Sequence, residues 1–201
     1  GFDKQLYIDY PEFKSRLTEG NEYIIDADIF QKMPELFMDN VINESMYIVV
    51  HGRNAKGRVK KYIEKKYIKN NYGIDKYKVF ITGANGSGKF GEALSSPFVA
   101  EPYNIHTQTY MSIGAFNSKF EADACLKYIC SKFGRAMLDV LKVTQNNPKD
   151  TWRYVPLQDF TETSDIDWTK TIHEIDEQLY KKYTLSQEEI DFIETHVKEM
   201  K

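Results

Sequence analysis

The sequence predicts an α+β protein in which a mixed, mainly antiparallel sheet packs on a long helix, with a C-terminal helical hairpin bracing it. Three observations predict this. Residues 117–145 keep one helical period throughout, segments near 76–82 and 106–112 alternate as strands do, and residues 172–200 carry two apolar stripes joined by a short link. With 201 residues and 41% hydrophobic content, the chain can bury a sizeable core. The expected division is one domain over residues 1–156, with the hairpin of residues 157–201 packed on it.

In chain order, residues 1–45 offer a short helix at Pro11 to Leu17 and a turn at Glu19-Gly20-Asn21. Met46 to Val50 is rich in β-formers and predicts a strand running into His51-Gly52, after which Gly52 to Gly57 reads as an exposed loop. The stretch from Arg58 to Gly73 interleaves Tyr62, Ile63, Tyr67 and Ile68 with lysines and fits helix or strand. Tyr77, Val79 and Ile81 then alternate up to a glycine loop, which predicts a strand over Asp75 to Thr82. A second strand is expected over Ile105 to Ile113.

The long helix starts at a capping box, Ser118 with Glu121, in which each side chain satisfies an orphan backbone N–H of the first turn. Cys125, Ile129, Phe133, Met137 and Val140 form its apolar stripe, widened by Leu126, Ala136 and Leu141. A single rod would be roughly 40 Å long. Gly134 interrupts it, so the expectation there is a bend or two consecutive helices, ending at Asn147 and Pro148. Trp152 to Val155 reads as a short strand. Ile172, Ile175, Leu179 and Tyr183 make one tail stripe, and Ile190, Ile193, Val197 and Met200 the other, with Ser186 and Glu189 repeating the capping-box spacing.

Charge is distributed unevenly around a net of −3. Residues 1–50 hold four basic and ten acidic residues, and residues 51–89 hold eleven basic and two acidic. Residues 157–201 hold five and twelve. A basic centre between acidic ends fits a polyanion-binding surface, or else a solvated charge run. No apolar run of about 18 residues is present, so no membrane span is expected, and a cytoplasmic setting is the default. Cys125 and Cys130, five apart on one helix, read as reduced core thiols rather than a disulfide. An opening Gly in place of Met suggests a chain cut from a longer protein.

Several motifs approach a chemistry and stop short. Gly83-Ala84-Asn85-Gly86-Ser87-Gly88-Lys89 matches the phosphate loop up to its Lys, but Phe90 stands where a Mg²⁺-binding Ser or Thr is required. Ser95-Ser96-Pro97-Phe98 resembles the tetrapeptide of adenine-amine methyltransferases with Ser96 in place of a proline. Glu64-Lys65-Lys66 supplies only the last part of a nuclease carboxylate-x-Lys motif. His51, His106, His173 and His196 are too scattered for a metal site. No catalytic residue and no metal ligand is expected within these residues.

An ordered series of segments carries a resemblance. It runs through Asp75 to Val79, Thr107 to Tyr110, Phe116, Glu121-Ala122, Lys127 to Ile129, Ser131 to Phe133, Arg135 and Lys142 to Gln145. It continues through Tyr154 to Phe160, Trp168, Leu179 to Tyr183, Leu185, Glu188 to Ile190 and Phe192 to Glu194. Together these resemble the C-terminal region of type II restriction-modification enzymes that carry an adenine-specific methyltransferase domain upstream. Gly134 departs from the family, whose members have a bulky residue there, and residues 1–74 do not align. The resemblance implies a DNA target-recognition domain that grips double-stranded DNA and reads the site. Upstream methyltransferase or endonuclease domains of the same polypeptide would be its partners and would hold S-adenosylmethionine, with Mg²⁺ if the parent also cuts. No cofactor is expected in the residues at hand.

Arg, Asn and Gln can pair with base edges, whereas Lys and Arg dominate phosphate contacts. Arg53, Asn54, Arg58 and Gln108 are therefore candidate readers. Lys60, Lys61, Lys65, Lys66, Lys78, Lys89, Lys132, Arg135 and Lys142 are candidate grips. For Arg135 and Lys142 the competing reading is pairing with the acidic tail. The rival functions are a protein-interaction or assembly module and, more weakly, a phosphate-loop NTPase.

Overall fold

The computed structural model describes residues 1–54, 56–84, 89–140, 144, 146 and 149–200. Among these are six strands: β1 Tyr47–Asn54, β2 Gly57–Glu64, β3 Tyr77–Thr82, β4 Phe98–Ala100, β5 Asn104–His106 and β6 Tyr110–Phe116. The α-helices are α1 Gln5–Asp9, α2 Ile29–Lys32, α3 Lys119–Cys130, α4 Lys132–Asp139, α5 Ile172–Lys182 and α6 Gln187–His196. The α+β class and the C-terminal hairpin, α5 with α6, are as the sequence predicts. The strands form two three-stranded sheets instead of one, ordered β2-β1-β5 and β4-β3-β6. The chain divides into two compact units, Gly1–Lys76 with Ala100–Met111 and Tyr77–Val99 with Ser112–Lys201. The second unit holds residues on both sides of the expected boundary at 156.

The first unit is built on a hairpin. β1 and β2 pair antiparallel from Tyr47 opposite Glu64 to Asn54 opposite Gly57, and β5 adds parallel to β1. Residues 52–54 and 57–59 therefore lie in the ladder, which corrects the expected Gly52 to Gly57 loop: the strands run on to the turn. Asn54 Oδ1 accepts the Lys56 N–H at 2.9 Å, the side-chain-to-backbone bond that makes Asn a turn former. One face of the hairpin delivers Ile48, Val50 and Ile63 to a core with Phe2, Leu6 and Ile29. Gly52 lies over this core, because a Cβ there would stand 2.6 Å from the Phe30 ring. The ambiguous stretch after Arg58 resolves as strand to Glu64 and then a 3₁₀ turn at Lys65–Tyr67.

The expected strand over Ile105 to Ile113 is two strands in different sheets. Thr107 separates them: its Oγ1 accepts the Thr109 N–H at 3.3 Å and donates to Thr109 Oγ1 at 3.0 Å, a local turn that competes with extended pairing. Trp152 to Val155 is likewise no strand, since Lys149–Tyr154 is a 3₁₀ helix.

In the second unit the long helix divides in two at Ser131, not at Gly134. Ser131 is extended (φ −63°, ψ 154°), and its Oγ accepts the Gly134 N–H at 2.9 Å while donating to Tyr128 O at 2.7 Å. Asp176 on α5 accepts the N–H groups of Lys132 and Phe133 at 3.0 and 2.8 Å, capping α4 from a distance. Gly134 is required by closeness, as a Cβ would lie 2.4 Å from Tyr128 O. Capping boxes open α3 at Ser118–Glu121 and α6 at Ser186–Glu189, each worth about 1 kcal/mol. α5 has a third, Thr171–Glu174. Cys125 and Cys130 are buried free thiols, pushed up by burial to about 12 and about 11. The expected helix end at Asn147 and Pro148 lies outside the described residues.

Candidate nucleic-acid interface

Because side chains on a strand alternate, the β1–β2 hairpin has a second face opposite to its core face. The register puts Arg53 opposite Arg58 and His51 opposite Lys60 on that face. Arg53, Arg58 and Lys60 are exposed and His51 is half-buried, with Lys56 exposed at the turn. β5 extends the row, since His106 lies beside His51 in the parallel register. Among the described residues neither Arg53 nor Lys60 makes an ion pair.

His51 is fixed within this row. Its Nε2 hydrogen bonds Asn104 Oδ1 at 2.6 Å. Burial holds its pKa below 6.5, the Asn104 bond opposes that shift, and the Lys60 and Arg58 cations add to it. The face is thus a set of cations near a neutral imidazole, an arrangement that bound anionic charge would stabilise.

The other candidates in the first unit are differently occupied. Asn54 is exposed but falls on the core side of the alternation, and its side-chain oxygen serves the turn. Lys61, also on the core side, donates to Asp39 at 2.6 Å. Lys65 Nζ sits 4.1 Å from the centre of the Tyr103 ring. Lys66 is shared between Asp9 and Glu64 at 3.4 and 3.3 Å. Gln108 is exposed beyond β5 and lines a cleft of about 1040 Å³ with His106, Lys69, Asn71 and Tyr23.

Three candidates in the second unit are corrected by burial. Arg135 is 1% exposed, and its guanidinium donates to the backbone oxygens of Cys130, Glu92 and Lys198. It clamps three chain segments and offers no surface to a phosphate. Lys132 Nζ is bonded to the Glu194 carboxylate and to Glu194 O, with 17% of its side chain exposed. Lys78 is buried within β3. For Arg135, the tail supplies a backbone oxygen where the sequence suggested a carboxylate. Lys89 is exposed, and Lys142 lies outside the described residues.

The near-motifs also acquire structural roles. Residues 89–97 form no helix, although a phosphate loop requires one directly after its Lys. Phe90 meets Phe192 with ring centres 5.5 Å apart and lines an apolar groove of about 490 Å³ with Met137 and Ile193. Gly91 donates its N–H to Asp139 Oδ2 at 2.7 Å and accepts from the Lys198 N–H at 2.9 Å. Residues 85–88 of the glycine loop lie outside the described residues.

Sequence reasoning missed His51 and His106 as members of one face, with Lys56 exposed at the turn. The alternation of Val49, His51 and Arg53 was a usable signal for His51, whereas the place of His106 depends on a parallel pairing that no local pattern encodes. Among the described residues no group of three His, Cys, Asp or Glu side chains could hold a metal ion, and no helix is long and apolar enough to cross a membrane. Compared with protein families, curated proteins and solved structures, the chain matches none.

Proposed function

We propose that the chain binds double-stranded DNA sequence-specifically through the β1–β2 hairpin, as the target-recognition part of a type II restriction-modification enzyme. On this reading an adenine-specific methyltransferase domain, with or without an endonuclease domain, belongs to the same polypeptide and supplies the S-adenosylmethionine chemistry. One observation carries the proposal: Arg53 and Arg58 face each other across the ribbon, with Lys60 and His51 in the next pair on the same face. Like charges held directly opposite one another cost a sheet stability. A polyanion seated on the face converts the cost into attraction. The shape agrees as well. Two strands about 4.8 Å apart make a ribbon that enters a major groove about 12 Å wide.

The test is binding of a labelled duplex by the full chain as salt is raised. Displacement of condensed counterions predicts a loss of at least tenfold in affinity between 50 and 200 mM salt for several phosphate contacts, roughly. No binding, or binding indifferent to salt, contradicts the proposal. That outcome would return the assembly-module reading, which the apolar groove beside Phe90 and Phe192 favours.

A further inference from the structure

We infer that the cleft beside β5 holds a single unpaired nucleotide, with its base on Tyr23 and its phosphate answered by Lys4 and Lys69. The cleft lies wholly within the first unit, and its volume of about 1040 Å³ is at the top of the range, roughly 300 to 1,000 Å³, of pockets that take small ligands. Backbone hydrogen bonds stitch its walls together. Phe2 N–H donates to Tyr23 O at 2.9 Å, Gln108 N–H to Ile25 O at 3.0 Å, and Lys69 N–H to Gly1 O at 3.0 Å. The walls are thus set by the fold and not by a ligand.

Three kinds of group meet on the lining, and together they select the ligand. Tyr23 is 51% exposed, yet it is held in place: the Tyr7 ring meets it at 84° with centres 5.6 Å apart, and the Tyr7 hydroxyl donates to Glu22 O. A ring fixed in this way is a platform on which any base can stack. Asn71 and Gln108 are exposed, and among the described residues neither side-chain amide is hydrogen-bonded. Each offers a donor beside an acceptor, the pattern that the edge of a base answers. Lys4 and Lys69 are exposed and make no ion pair among the described residues. Asp3 also lines the cleft, but its carboxylate accepts the Gln5 N–H at 2.9 Å. A free phosphate would use the lysines alone, and a sugar would use the ring and the amides but leave the lysines unanswered. A nucleotide uses all three. His106 belongs to this lining and also stands beside His51 in the sheet, so the cleft adjoins the basic face. The ligand class follows from the cleft alone; its supply by a bound nucleic acid, as an extrahelical nucleotide, rests on the DNA reading proposed above.

The test titrates three probes onto the full chain: adenosine monophosphate, a matched duplex, and the same duplex carrying one unpaired adenosine as a bulge. If a nucleic acid supplies the nucleotide, the bulged duplex should bind about 5- to 150-fold more tightly than the matched one, the range for one base stacked on an aromatic ring. Tyr23→Ala should remove that preference, and Tyr23→Phe should keep it. Lys69→Ala, at an exposed position, should weaken the bulged duplex more than the matched one. If the source is a free nucleotide, adenosine monophosphate should bind saturably and more weakly to Tyr23→Ala and Lys69→Ala, while the two duplexes bind alike. Either pattern supports the nucleotide site. Equal binding of the two duplexes without saturable binding of adenosine monophosphate, or a bulge preference that survives both Tyr23→Ala and Lys69→Ala, overturns the cleft assignment and leaves DNA binding standing. Saturable binding of adenosine monophosphate with no affinity for either duplex brings down the DNA reading and leaves the cleft. If no probe binds, both fall.

Discussion

Arg53 and Arg135 are both arginines of Lys-rich stretches, yet they sit in opposite environments. Arg135 is enclosed by three backbone oxygens from separate segments of its unit, whereas Arg53 stands in solvent opposite Arg58. The difference teaches how to sort cations that look alike in sequence. A cation whose donors are already answered inside the fold is structural, and one exposed on a strand face among other cations is open to an anionic ligand.

The largest expected effect breaks the comparison on the buried side. Arg135→Met removes the guanidinium that bonds the carbonyls of Cys130, Glu92 and Lys198, and a buried polar group left unsatisfied, as at Cys130, costs about 1 to 3 kcal/mol. With partial rehydration, urea denaturation should show a loss of roughly 3 kcal/mol. Arg53→Ala should stay within about 0.5 kcal/mol of wild type in the same assay. Equal losses would erase the distinction between the two arginines.

A smaller and opposite effect is expected on the exposed side. Arg53→Thr removes a like-charge pair and introduces a β-favouring residue, so thermal unfolding should show stability unchanged or raised by about 0.2 to 1 kcal/mol while duplex affinity falls. A variant less stable than wild type would mean that Arg53 serves the fold.

The subtlest effect is on pH. His51 has a folded-state pKa held below 6.5, so its contribution to stability is present above about pH 6.5 and is lost as the pH falls through the folded value. Phosphate on the same face reverses the preference by favouring the imidazolium. Duplex affinity should therefore rise as the pH is lowered through that window, and His51→Gln should flatten the rise. Titration of the His51 ring by NMR, with and without duplex, checks the sign: bound DNA should move its midpoint upward.

How much of this was legible in the sequence depended on how local each cause is. The helix starts at Ser118 and Ser186 were readable because a capping box is closed within four residues, and β3 was readable from its own alternation. The break at Ser131 was placed at Gly134 because the group that caps α4, Asp176, lies far along the chain. Lys132 and Arg135 appeared as surface charges for the same reason, their acceptors being contributed by Glu194 and Lys198. The reader candidates Arg53 and Arg58 were legible as residue types. Their direct opposition was not, because the register that creates it depends on reading 52–57 as the end of a hairpin.

Lys60 and Lys61 provide the most direct test of the central claim, since they are adjacent in sequence and point to opposite faces of β2, one with no ion pair among the described residues and one bonded to Asp39. The measurement is the slope of log affinity against log salt for a duplex, taken for wild type, Lys60→Ala and Lys61→Ala. Lys60→Ala should make the slope shallower by about 0.9, the value for one lost phosphate contact, and Lys61→Ala should leave it unchanged. Equal changes in both variants, or none in Lys60→Ala, would contradict the account.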